Sequence, residues 1–328
     1  MYNMDKLYEA VAVKGHVCVG LDTSPSYLPP AFLREAASEA EAVLAYNRAV
    51  VAATADAAAC YKVQIAYYEA LGLAGIAAYA QTLRAVRERG GLVIADIKRG
   101  DIADTARQYA KAHFEGEFEA DFVTLSPYMG MDSIEPWFSY AETKGKGAFV
   151  LMRTSNKGMR DFEYRELKTG ERLYDAVGDR LSELAEAGPG KYGYGAFGAV
   201  VGADPKSDAE REEASAIRKR RANLFFLIPG YGAQGGAAED AALLLRDGNG
   251  GVVNASRTIL RAWQTSLPAG EKVSLDAAAE AARKAVLDMR DALAACCAST
   301  QNRIKIHENE FLYDTNCIRS PDNRGIFV

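Results

Sequence analysis

Histidine and tryptophan are scarce in this 328-residue chain, which has three of the first and two of the second. The histidines, His16, His113 and His307, have no zinc-ligand spacing with the cysteines, so a protein-bound metal is not expected. Five cysteines, at 18, 60, 296, 297 and 317, make an odd number with no C-x-x-C pair, the usage of a reducing compartment rather than a disulfide framework. Cys18 and Cys60 lie in apolar runs and read as small buried hydrophobes, and the adjacent Cys296 and Cys297 as incidental neighbours on a helix. Surplus positive charge is also missing. The net charge of −5 argues against a nucleic-acid surface, and the densest basic run, Arg218 to Arg221, ends a helical pattern where cations suit the helix terminus. No run approaches the ~18 apolar residues that cross a bilayer. The first fifteen residues carry Asp5 and Glu9 where a secretory signal needs an apolar core. A soluble, cytoplasmic protein without nucleic-acid or membrane partners is the expectation.

What is present is an alternation. Strand-like apolar runs occupy 16–22, 60–66, 92–98, 121–126, 148–153, 196–203, 224–228 and 251–256. Ala- and Glu-rich stretches with helical spacing lie between them, as at 31–59, 76–89, 171–187 and 207–221, and a last helix is expected at 275–298. Eight strand-then-helix units predict an α/β fold of the closed (β/α)8 TIM-barrel type, a single domain over residues 1–298 with a tail at 299–328 of unknown role. A doubly wound open sheet fits less well, because no G-x-G-x-x-G follows the first strand.

The third strand organises the rest. After the apolar Leu92 to Ala95 come Asp96, Lys98 and, across Gly100, Asp101. In a continuing strand Asp96 and Lys98 point to one side and Ile97 to the other. An isolated D-x-K-x-x-D is more often an ion-paired strand end than an active site. Barrel active sites, however, collect at the C-terminal strand ends, and here those ends offer Asp22, Lys62, Asp96 with Lys98, Ser126, Thr154-Ser155-Asn156 and Ser256-Arg257. The loop after the seventh strand, Pro229-Gly-Tyr-Gly-Ala-Gln234-Gly-Gly236, can point backbone amides at an anion, with Gln234 as a further donor. Arg257 follows the eighth strand, and the loops after strands seven and eight are the usual phosphate site of this architecture.

These residues resemble the orotidine 5′-monophosphate decarboxylase family, in particular its longer bacterial subgroup. The motifs Asp96-Ile-Lys98-Arg-Gly-Asp101-Ile102, Thr154-Ser155-Asn156, the glycine-rich loop and Asn254-Ala-Ser-Arg257 match in order, over residues 13–295. The resemblance implies cofactor-free decarboxylation of orotidine 5′-monophosphate to uridine 5′-monophosphate in de novo pyrimidine biosynthesis. It assigns Lys62, Asp96, Lys98 and Asp101 to an alternating charge array with Lys98 as proton donor. Asp22 and Lys62 would meet the ribose hydroxyls, Ser155 the pyrimidine, and Gln234 and Arg257 the phosphate. Asp101, Ile102 and Thr105 match positions that reach a neighbouring subunit's site, which implies a homodimer with shared active sites.

Two departures stand out. Lys157 replaces the proline that commonly follows Ser-Asn in the family, and residues 161–174 read as a hairpin turning at Thr169-Gly170, either a flap over the rim or an exposed excursion. Within the tail, the run from Arg303 to Tyr313 would suit a strand at an interface, although a loosely ordered terminus is expected. Two other functions compete with the first. Related barrels that act on sugar phosphates with Mg2+ carry an acidic metal ligand on the second strand, where this chain has Lys62, a cation that would repel the metal. A non-catalytic scaffold would have no reason to keep the whole charge array.

Overall fold

The computed structural model describes residues 1–203, 205–232, 236–267 and 273–316, with 300–316 as helical backbone only. Eight strands, β1 (Val17–Gly20), β2 (Cys60–Gln64), β3 (Leu92–Arg99), β4 (Phe122–Leu125), β5 (Gly147–Arg153), β6 (Phe197–Val201), β7 (Phe226–Ile228) and β8 (Gly251–Ala255), close into a parallel barrel. β1 and β8 complete the ring, with Val17 opposite Val253. Every residue of β1, β4, β6, β7 and β8 is buried, which is why these strands read as unbroken apolar runs. All eight expected strands are found, most of them shorter than their apolar runs.

The helices that follow the strands are α1 (Glu39–Thr54), α2 (Gly72–Glu88), α3 (Ala103–Phe114), α4 (Phe138–Lys144), α5 (Leu173–Ala187), α6 (Asp208–Arg220), α7 (Ala238–Ala242) and α8 (Leu275–Asn316). The helix expected over 31–59 is broken. Ser38 accepts the Glu41 N–H at 3.2 Å and caps α1, while Pro30–Glu35 forms a separate short helix. The last helix continues past its expected end at 298, and its backbone is helical as far as Asn316, where a strand was the alternative. Neither proline nor glycine interrupts the sequence from 275 to 316.

Two cores result. One lies between the strands and the outer helices. The other fills the barrel with Cys18, Cys60, Ile94, Phe122, Phe149 and Phe225, and Met4, Leu7 and Val11 of the N-terminal helix Asn3–Lys14 pack against it. Asn3 of that helix donates to the backbone of Asp121, at the N-terminal end of β4. The bottom of the barrel is thereby closed, and the opposite rim is where a site can form. Cys18 and Cys60 are free and fully buried, as their apolar runs suggested, and Cys296 and Cys297 are half-buried on α8. Among the described residues no helix is long and apolar enough to cross a membrane.

Candidate active site

The end of β3 does not continue as a regular strand. Its pairing with β4 slips between Ala95 and Arg99, and Lys98 takes a φ of 45°, a left-handed conformation that side chains seldom adopt. The N–H groups of Ile97 and Lys98, released from the ladder, both donate to Thr124 Oγ1 at 3.0 Å. That hydroxyl donates to Asp96 Oδ1 at 2.8 Å. Asp96 and Lys98 do come to one side, with Ile97 buried on the other, but an irregularity braced by β4 brings them there rather than a regular pleat.

Around Asp96 the charges alternate. Lys98 Nζ lies 2.5 Å from Asp96 Oδ1, and Lys62 Nζ lies 2.9 Å from both Asp96 Oδ2 and Asp22 Oδ1. Asp22 Oδ2 accepts from Ser256 Oγ at 2.8 Å, so the chain of contacts runs from β8 through β1 and β2 to β3 and β4. Glycine at position 20 permits this closure: a Cβ there would sit 1.9 Å from Ser256 Oγ. Burial would push the Lys62 ammonium down, but Asp22 and Asp96 outweigh it and hold the group well above the ordinary lysine range. Burial would raise the Asp96 carboxyl, yet the charges of Lys62 and Lys98 hold it far below the usual carboxylate range. Asp96 and Lys62 therefore stay ionised at neutral pH. Lys98, with a side chain 47% exposed, is the member of the network that faces the opening.

Two adjoining cavities share Lys62, Asp96, Lys98, Pro229 and Asn254. The larger, about 500 Å³, is lined further by Asp22, Tyr27, Tyr67, Tyr231, Ser256 and Arg257. The smaller, about 200 Å³, has an apolar floor of Leu151, Val200 and Leu227 and a polar wall of Thr154, Ser155 and Asn156. One space thus offers a cation and hydroxyls, and the other a slot sized for a flat ring with hydrogen-bonding edges. Asp22, Lys62, Asp96, Lys98, Ser155 and Arg257 converge on these spaces.

Asp101, Ile102 and Thr105 do not. Asp101 accepts the N–H of Ile102 at 2.9 Å and makes no ion pair among the described residues, so within one chain the charge array ends at Lys98. Ile102 and Thr105 are exposed on the rim. Gln234 lies outside the described residues. Thr124, Tyr27 and Tyr67 line the site but are not singled out by the sequence, and Asn254 is marked there only as part of a motif, with no role. Thr124 leaves a trace as the one hydroxyl in the buried strand Phe-Val-Thr-Leu.

Residues 15–266 match the family model for orotidine 5′-phosphate decarboxylase / HUMPS family. The orotidine 5′-phosphate decarboxylase of Clostridium perfringens is 52% identical over 289 residues, covering 88% of this chain and 97% of its own length. Among solved structures, Leishmania donovani UMP synthase aligns at 34% identity with a TM-score of 0.68, over 88% of this chain and 57% of that one. The OMP decarboxylase of the same organism aligns at 33% identity and 0.67, over 89% of this chain and all of that one. With the family model spanning the whole barrel and relatives this similar along nearly their full length, the chain belongs to the orotidine 5′-phosphate decarboxylase / HUMPS family and, within it, is a decarboxylase, a carbon–carbon lyase.

Proposed function

We propose that Lys98 protonates C6 of the pyrimidine after CO2 leaves orotidine 5′-phosphate, the step that yields uridine 5′-phosphate. The observation that carries this is the Lys98 ammonium, held by Asp96 where the two cavities meet. Breaking the C6–carboxylate bond leaves an electron pair on C6 with no adjacent group to absorb it. A fixed cation stabilises that charge as it develops, and one of its protons then completes the C6–H bond. Lys98 is left neutral and regains a proton from water. The donor set around Lys62 favours chemistry without a metal, since its ammonium already occupies the place between Asp22 and Asp96 that a divalent ion would take.

The remaining positions rest on the family resemblance, and the two spaces support them with lining residues of matching chemistry. The phosphate lies at Arg257 and the Pro229–Tyr231 loop, the ribose hydroxyls at Asp22 and Lys62, and the ring in the smaller cavity against Ser155. Gln234 enters the phosphate site on the family resemblance alone. Arg257→Ala removes two charge-assisted hydrogen bonds, so kcat/KM should fall roughly 10²- to 10³-fold. Steady-state kinetics decide this, and an unchanged kcat/KM would take Arg257 out of the phosphate site.

The functional unit we propose is a homodimer in which Asp101, Ile102 and Thr105 complete the partner's site. Ile102 is 45% exposed, and Tyr128 and Met129, after the neighbouring β4, are 82% and 48% exposed, an apolar surface beside the opening. Lys98→Ala and Asp101→Ala proteins, each inactive alone, should regain turnover when unfolded together and refolded, because the mixed dimer holds one site with both residues intact. A mixture as inactive as its parents contradicts shared sites.

A further inference from the structure

We propose that Glu163 is a positioning residue for the turn that carries Ser155, and so sets the ring-binding wall of the site; this rests on the placement of the pyrimidine against Ser155 given above. Residues 159–174 leave the barrel after β5 as a short helix, Met159–Phe162, and a hairpin joined by the antiparallel pair Glu166 and Arg172. Its tip turns at Thr169-Gly170, as expected, with Gly170 at a φ of 84°. The base of this hairpin, rather than its tip, reaches the site. Glu163 Oε2 accepts the Thr154 N–H at 2.8 Å and Oε1 accepts the Thr154 hydroxyl at 2.7 Å. Thr154 immediately precedes Ser155.

Thr154 lies one residue beyond β5, so its N–H falls where the barrel ladder ends and needs an acceptor of its own. A carboxylate supplies one with a charge-assisted bond in a fixed direction, which water would not. Thr154 Oγ1 also lies 2.7 Å from the Asn156 side-chain oxygen. A hydroxyl has one proton, so when Glu163 takes it the Asn156 amide turns its NH2 toward Thr154 Oγ1. The carboxylate thereby orders both residues that flank Ser155.

Glu163 is itself fixed. Its N–H donates to Met159 O at 2.8 Å, and its carbonyl accepts from Tyr174 N at 3.0 Å. The next residue, Tyr164, accepts from Arg153 Nε and donates to Glu213 on α6. On its other side the turn rests on Gly202, where a Cβ would come within 2.8 Å of Ser155 Cβ. Ser155 thus has no slack toward β6, and the hairpin fixes the residue that precedes it.

The test compares Glu163→Ala, Glu163→Gln, Ser155→Ala and the Glu163→Ala/Ser155→Ala pair. Glu163→Ala should lower kcat/KM for orotidine 5′-phosphate about 10- to 100-fold. It should weaken uridine 5′-phosphate binding by a similar factor and leave ribose 5-phosphate, which lacks the ring, within about twofold. Glu163→Gln keeps an acceptor for Thr154 N–H and should recover most of the loss. The double variant should be little worse than Ser155→Ala. Equal weakening of both ligands, no effect on either, or effects that multiply in the double variant would overturn the positioning role. Native protein that binds uridine 5′-phosphate without decarboxylating the substrate, alongside a Glu163→Ala variant that selectively loses that binding, would refute the decarboxylation step and uphold the role of Glu163.

Discussion

Lys98→Ala is expected to lower the decarboxylation rate by about 10⁴-fold or more, combining the loss of a preorganised charge with the loss of the proton donor. The fold should be indifferent to the change. The Lys98 side chain is 47% exposed, and Asp96 keeps Lys62 and Thr124 as partners. Lysine and alanine meet the same backbone cost at a φ of 45°, so the substitution adds no strain. Single-turnover rates beside a thermal melt separate the two effects: a large rate loss with an unmoved midpoint is expected. A variant that is both inactive and strongly destabilised would make Lys98 a structural residue instead.

Lys62→Met has the larger effect on stability. Removing the buried ammonium leaves Asp22 and Asp96 facing each other without the charge that compensates them, a loss of about 3–5 kcal/mol. The melting midpoint should fall by roughly 5–15 °C, and turnover should fail with it as Asp96 loses its geometry. The dependence on pH has a definite sign. In the native protein the lowered Asp96 carboxyl contributes fully above the ordinary carboxylate value near 4 and fades as pH falls below it. The raised Lys62 contributes fully below about 10.4 and fades only as pH rises through its folded value. Between those limits the contributions of Asp96 and Lys62 do not change with pH. In the variant the paired carboxylates bind a proton more readily when folded, so the deficit at pH 7 should shrink as pH falls toward 5. Melts at the two pH values check this, and an equal deficit at both would deny that the carboxylates face each other.

The eight strands were legible because a strand buried on both faces has to be apolar along its whole length, and the intervening helices because their spacing is regular. The break at Ser38 was harder to see, since the Ala-rich run on both sides has helical composition and one hydroxyl restarts the helix. The residue types of the site were visible at the strand ends, but their connections were not. Asp96 and Lys98 meet because Thr124, distant in sequence, takes up the two amides that the pairing slip releases. Asp101 stands beside them in sequence but makes no ion pair with them among the described residues, and its carboxylate serves the adjacent Ile102 N–H. The hairpin after β5 was legible as a hairpin, whereas the grip of Glu163 on Thr154 depends on how its base folds back onto the strand end.

The most direct measurement is the ultraviolet change when purified protein meets orotidine 5′-monophosphate with EDTA present, with Lys98→Ala as the control. Turnover undiminished by EDTA in the native protein, and absent from the folded variant, is the expected result. A native rate that EDTA abolishes, or a Lys98→Ala protein that still decarboxylates at near the native rate, would contradict the assignment of the proton to Lys98 in a metal-independent site.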